Sequence, residues 1–439
     1  MPAPRRRRLT LLPVGAALSV VLTTASVVMP GQEDASAPQT TTEQVDLTQP
    51  GEPVAPGWSA ETERAPNLVG VEWQGDPAAS FTIETRDATG TWATAGSLST
   101  PPPDEGPDDG SPEAAGRAGG NVSEPLWVGD DVTGVRVRLD DGSAADVDLH
   151  TVDSPPASAP DGAAAAAAGV LRAGASTADR LVIAAIGIAF AGILVAWGVR
   201  RDRRPPRRRR RALPVTVGLV VVVALTACAP VKRAPVPGMA NVVTRASWGA
   251  DENLRLTNYP EGPTYMSSLQ LGVVHHTVNS NNYSSWDGPA LVRGIYAYHT
   301  RSLGYCDIGY NFLVDKYGAV YEGRYGGIDQ VVMGAHARGF NTSSLGVAII
   351  GDYRTTPPTN EAIEAVKQVL VYKFGHHRTN PRAYFYYTTT GNEKYGPGTQ
   401  VLLAPTSYHQ ATGSTECPGQ RVIDRIPEIY DQVATRLGY

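Results

Sequence analysis

The sequence predicts an α/β domain at its C-terminal end, preceded by a small all-β domain and by membrane-spanning helices. Three observations carry this. Residues 241–439 alternate helical-period and strand-like apolar runs, the pattern of an α/β layer structure. Residues 57–152 are a series of short β-rich runs broken by Gly and Asp turn signals, which suits a β-sandwich-like domain. Three uncharged apolar runs lie next to arginine clusters, the pattern that membrane segments show on their cytoplasmic side.

Residues 1–30 place "RRRR" ahead of "LTLLPVGAALSVVLTTASVVMP" and read as a signal peptide or signal anchor. A linker over 31–56 leads into the all-β segment 57–152, whose runs include "NLVGVEW", "SFTIETRD" and "GVRVRLDDG". Within it, the acidic Pro/Gly-rich stretch 101–120 has the composition of a disordered loop. No cluster of His, Cys and Asp appears there, and His150 reads as structural or solvated. Residues 153–180 are an Ala/Pro/Gly/Ser linker.

The next run, 181–199 ("LVIAAIGIAFAGILVAWGV"), has the roughly 20 apolar residues needed to cross a bilayer. An Arg-rich cytoplasmic loop follows over 200–211, then a third apolar run over 212–229. This order places residues 31–180 and everything after 229 on the outer side. The third run ends in "LTAC", which resembles the lipobox of bacterial lipoproteins. Cys228 is therefore a candidate lipid anchor, the alternative being a cysteine that merely ends a spanning helix. The arginine runs abut apolar stretches, so they read as membrane anchors and no nucleic-acid partner is expected. The expected location is the cytoplasmic membrane, with the C-terminal domain on the cell-wall side.

Within 241–439, "SLQLGVVHHT" is a buried-strand candidate and Leu291, Ile295 and Tyr298 fall at helical spacing after Pro289. "GYNFLVDKYGAVYEGR" reads as two strands around a Lys-Tyr-Gly turn, and "SLGVAIIGDY" as another strand. Thr359 or Asn360 caps a helix that Gly375 would stop. A final helix is expected after Pro418, with Ile426, Ile429, Val433 and Leu437 on one face. The segment 380–405 reads as a long surface loop.

The chemistry concentrates in "VVHHT" and "YHQATGSTECPGQ". Side chains alternate along a strand, so His275 and His276 point to opposite faces and one of them can address a given site. Together with His409 and Cys417 it offers three donors, as a catalytic zinc site with an open fourth position needs. Cys417 at the start of a helix would have its thiolate favoured by the helix dipole. A Cys306–Cys417 disulfide is the competing account.

"VVHHT", "CDIGYNFLVDKYGAVYEGR", "MGAHARGFNTSSLGVAIIGDY" and "YHQATGSTECPGQ" resemble, in order and spacing, the peptidoglycan recognition proteins and type 2 N-acetylmuramoyl-L-alanine amidases. The resemblance covers residues 241–439. It implies a central mixed β-sheet flanked by helices, a Zn2+ ion, and a groove for peptidoglycan. His275, His409 and Cys417 match the family's zinc ligands, and His276 fills the neighbouring non-ligand position. Tyr310 matches the tyrosine that catalytic members place beside the metal water. His336 and Asn341 match groove positions, and Arg324 is a candidate partner for a stem-peptide carboxylate. The family's proton donors are missing. One branch has lysine where this chain has Thr415, and another has glutamate near Ala348, which leaves Tyr310 and Thr415 as catalytic candidates. The expected function is zinc-dependent hydrolysis of the bond between N-acetylmuramic acid and L-alanine. A non-catalytic recognition module and an envelope scaffold are the alternatives.

Overall fold

The computed structural model describes residues 39–100, 104–111, 113–116, 120–155, 233–236, 239–258 and 262–439. The expected segments 1–30, 181–199, 200–211 and 212–229, with Cys228, lie outside the described residues. Among the described residues no helix is long and apolar enough to cross a membrane.

The first domain is all-β. Its strands are β1 (Thr41–Asp46), β2 (Pro53–Val54), β3 (Ser59–Thr62), β4 (Leu68–Gly75), β5 (Ser80–Arg86), β6 (Trp92–Ser99), β7 (Asn121–Val122), β8 (Leu126–Trp127), β9 (Gly134–Asp141) and β10 (Ala144–Asp153). One sheet runs β1-β10-β4-β7, with β2 added to β10 and β8 to β4; the other runs β3-β9-β5-β6. Alternation sets which residues turn inward. Phe81 and Ile83 of β5, Val135, Val137 and Leu139 of β9, Val69, Val71 and Trp73 of β4, and Val147 and Leu149 of β10 form one buried cluster. Residues from both sheets share it, so the sheets pack face to face.

The second domain holds β11 (Arg233–Val236), β12 (Met239–Val243), α1 (Arg245–Trp248), α2 (Glu252–Asn258), β13 (Leu271–His276), α3 (Gly288–Arg301), β14 (Phe312–Val314), β15 (Val320–Glu322), β16 (Ser344–Ile349), α4 (Asn360–His377), β17 (Phe385–Thr388), β18 (Gln400–Leu403), β19 (Thr406–Tyr408), α5 (His409–Thr412), α6 (Gln420–Ile423) and α7 (Ile426–Arg436). Its seven-stranded sheet is ordered β11-β12-β15-β14-β16-β13-β19. β13 runs parallel to both β16 and β19, whereas β14 and β15 pair antiparallel, so the sheet is mixed. Every residue of β13 and β16 is buried, as expected of strands covered on both faces.

Helices α4 and α7 cover one face through Ile363, Val366, Leu370, Ile429 and Val433, packed on Val274, Val347 and Ile349. Helix α3 covers the other through Leu291, Val292 and Ile295, in one apolar cluster with Leu313 and Ala348. The outer side of α3 meets the first domain. Leu68, Trp127 and Val152 belong to the same apolar cluster, Tyr298 Oη donates to the Ser123 carbonyl at 2.9 Å, and Ser154 Oγ donates to the Ala290 carbonyl at 2.9 Å. One helix therefore serves two sheets.

Four local expectations change, the first being the expected linker 31–56, whose residues Thr41–Asp46 and Pro53–Val54 are strands paired with β10. Helix α4 runs past Gly375 to His377 and ends where Arg378 adopts a left-handed φ of 56°. Gly375 stays helical, with Leu437 so close that a Cβ would meet it at 3.1 Å. The final helix is split into α6 and α7, with Pro427 in the first turn of α7. The expected loop 380–405 contains the β17–β18 hairpin.

Candidate functional site

Strand parity sets up the site. His275 pairs in register with Ala348 of β16 and shares a strand face with Val273, while His276 pairs with Ile349 and turns to the α4 side. There His276 Nδ1 accepts from Tyr353 N at 3.3 Å, and burial holds the imidazole down at about 4. β19 lies beside β13, with Tyr408 opposite Val274, so the next residue, His409, enters the same face as His275. The two imidazole centroids are 4.5 Å apart. After α5 the chain turns back, with Gln410 N donating to the Cys417 carbonyl at 2.8 Å.

One ligand atom from each of His275, His409 and Cys417 lies within 4.8 Å of the others, and all three residues are buried. Cys417 Sγ stands 3.6 Å from His275 Nδ1 and accepts from His276 N at 3.4 Å. His409 Nδ1 is buried with no partner among the described residues, a polar atom that a cation would satisfy. Burial pushes both imidazoles down, so they are neutral donors. The donor set therefore fits zinc. Cys417 is a free thiol, so the disulfide to Cys306 is not formed. The helix-dipole expectation for Cys417 does not hold: α6 is one turn long and begins at Gln420, and burial pushes the thiol well up. A cation, rather than a helix end, would have to supply the charge that favours thiolate.

Around the cluster, the other candidates fall into two groups. His336 is fully buried behind His275, its Nδ1 3.1 Å from His275 Nε2, and burial holds it at about 3. Its Nε2 is 3.4 Å from Ser344 Oγ, which donates to the Asn341 carbonyl at 3.0 Å. If His275 Nδ1 takes a metal, Nε2 must carry the proton, and the chain then reads His275 to His336 to Ser344 to Asn341, each donating to the next. The Asn341 Oδ1 accepts from His336 N and Ala337 N, fixing the turn. Thr415 is half-buried, and its Oγ1 accepts from Cys417 N at 2.9 Å.

Tyr310 lies with its ring centroid 5.4 Å from that of His275. Its hydroxyl donates to Glu105 Oε1 at 2.8 Å, and burial keeps the phenol protonated, well above its ordinary range. Arg324 is ion-paired with Glu113. Asn341 Nδ2 donates to Asp108 Oδ1 at 2.6 Å and to the Gly106 carbonyl at 2.9 Å. All these partners come from the acidic stretch of the first domain. That stretch was expected to be disordered; its described residues 104–111 and 113–116 instead lie on the candidate site. Composition alone could not show this, because the partners sit some 200 residues away in sequence, as with Tyr310 and Glu105. The one signal was charge: a run of carboxylates in a chain whose second domain carries arginines at 324 and 338.

Residues 265–420 match the family described as N-acetylmuramoyl-L-alanine amidase. Peptidoglycan-recognition protein SC2 of Drosophila melanogaster is 33% identical over 191 residues, 42% of this chain and 84% of that protein. Peptidoglycan recognition protein 3 of Homo sapiens is 32% identical over 130 residues, 30% of this chain and 35% of that protein. Among solved structures, wild-type Drosophila PGRP-LB aligns at 25% identity and a TM-score of 0.32, covering 42% of this chain and 91% of that one. Through its C-terminal domain, the chain belongs to the family of peptidoglycan recognition proteins and N-acetylmuramoyl-L-alanine amidases.

Proposed function

We propose that the C-terminal domain is a zinc amidase that hydrolyses the bond between the lactyl carboxyl of N-acetylmuramic acid and L-alanine in peptidoglycan. The observation that carries this reading is the buried His275, His409 and Cys417 donor set, with the Tyr310 ring 5.4 Å from that of His275. Zinc held there would polarise the amide carbonyl and bring the pKa of a water toward about 7. His336 orients His275, and the His276 N–H directed at Cys417 Sγ stabilises negative charge on the sulfur. Tyr310, kept protonated by burial, donates toward the oxyanion that develops on the lactyl carbonyl. Thr415 Oγ1 accepts from the Cys417 N–H, and its hydroxyl relays to the departing amine the proton that the attacking water gives up, ending as it began. The sequence supports placing this domain outside the cytoplasmic membrane and tethered to it, with Cys228 as the lipid anchor.

Binding without cleavage is the second reading. It is favoured by the names of the relatives, which are recognition proteins, and by Ala348 and Thr415 standing where amidase branches carry glutamate or lysine. Zinc analysis of the purified chain separates the two. The amidase reading expects one zinc per chain, lost in Cys417→Ala, and release of stem peptides with a free L-alanine amino end that stops on chelation. A metal-free chain that binds peptidoglycan and leaves it intact over prolonged incubation would favour recognition.

A further inference from the structure

The acidic segment of the first domain sits where a substrate would have to sit. Asp104 is fully buried, and its carboxylate is satisfied from the second domain: Glu393 N donates to Oδ1 at 2.7 Å and Ser414 N to Oδ2 at 2.5 Å. Its carbonyl accepts from Arg338 N at 2.8 Å and lies 3.3 Å from His409 Nε2, on a metal-ligand candidate. Burying a carboxylate is costly unless donors replace its water, so a site with two backbone N–H groups aimed at it is built for that contact. The next residue, Glu105, takes the Tyr310 hydroxyl. Asp108 takes Asn341 and Gly339 N, and Glu113 takes Arg324 and, at 3.0 Å, Cys306 N.

Glu105, Asp108 and Glu113 thus occupy the side chains that the amidase reading assigns to substrate. With the segment in place His275, His409, Cys417 and Tyr310 are all at most 5% exposed. A glycan strand with its stem peptide cannot reach them.

We infer that the segment carrying Asp104, Glu105, Asp108 and Glu113 is an intramolecular plug, a carboxylate-bearing mimic of the peptidoglycan stem that holds the site shut and must leave before substrate enters. This rests on the amidase-family reading of the groove but not on cleavage itself. A plug seated about nine-tenths of the time would weaken apparent affinity about tenfold.

Two variants open it without touching the site. One replaces charge only (Asp104→Asn, Glu105→Gln and Asp108→Asn together). The other, Gly106→Val, replaces none: Gly106 has φ of 103°, and a Cβ there would meet Tyr305 Oη at 2.6 Å. Binding of a disaccharide-peptide fragment of peptidoglycan to the whole chain is measured by calorimetry in chelator, so that nothing turns over. Cleavage with zinc restored is measured separately. Cooperative melting checks that each variant is folded. The plug predicts about tenfold tighter binding in both variants than in the unaltered chain. Equal or weaker binding in the folded variants overturns it. Tighter binding with no cleavage in any form would keep the plug and reject the amidase; equal binding with equal cleavage would do the reverse.

Discussion

His336 shows how much a single side chain can decide. It touches no solvent, yet its Nδ1 lies 3.1 Å from His275 Nε2, where accepting that nitrogen's proton would leave His275 Nδ1 for a metal. Outer partners of metal-binding histidines are typically worth about 10- to 100-fold in metal affinity. His336→Ala is therefore expected to weaken zinc binding by about that range in a competition titration, while Asn341→Ala, one step further along the chain, weakens it less. Unchanged zinc affinity in His336→Ala would remove its positioning role. The parity of the His275–His276 pair is legible in the sequence alone, because alternation on a strand leaves no other outcome. The position of His336 is not. "GAHARG" places it at the groove by resemblance, and its direction depends on a turn held by Asn341 Oδ1 that no local pattern announces.

Between elements, Glu364 of α4 reaches α7 by pairing with Arg436 at 2.5 Å, and Lys367, one turn along α4, pairs with the same carboxylate at 3.2 Å. The Arg436 hydrogen bonds lead in lowering the Glu364 carboxyl from 4.5 to about 2. Because the folded value lies below the unfolded one, the pair's contribution is present above about 4.5 and fades as pH falls toward 2. Glu364 is 38% exposed, so screening limits that contribution to about 1 kcal/mol or less. Glu364→Gln is expected to lower the melting temperature slightly at pH 7 and to have no effect near pH 2; an equal loss at both pH values would contradict the ion-pair account.

Periodicity makes these helices legible, and the stretch 380–405 marks its limit. That stretch has aromatic and threonine residues suited to strands, but its Pro and Gly residues read as loop, and the β17–β18 hairpin is fixed by packing of Tyr387 and Leu403 under Phe340. The α6–α7 break follows from Pro427, whose place in a first turn fits a new start better than a continued helix.

Across the chain, the two domains are joined by α3 and by the acidic segment, and neither junction could be read from one domain's pattern. Helix α3 looks amphipathic in sequence but is buried on nearly all sides, since Leu68 and Trp127 of the first domain cover the face that would otherwise meet water. The acidic segment has the composition of a solvated loop, but in its described residues Tyr310, Asn341 and Arg324 give the carboxylates partners. The expected membrane segments are the reverse case: they rest on hydropathy and charge alone and lie outside the described residues.

Hydrolysis at the lactyl amide leaves its mark in the oxygen that water contributes. Peptidoglycan would be digested by the zinc-loaded Gly106→Val chain in water enriched in oxygen-18, and the separated products weighed. An amidase puts one heavy oxygen in the lactyl carboxylate of the muramic acid and none in the peptide released with its free L-alanine amine. Label in a peptide carboxylate or at a sugar anomeric carbon, or no label anywhere, would contradict that chemistry.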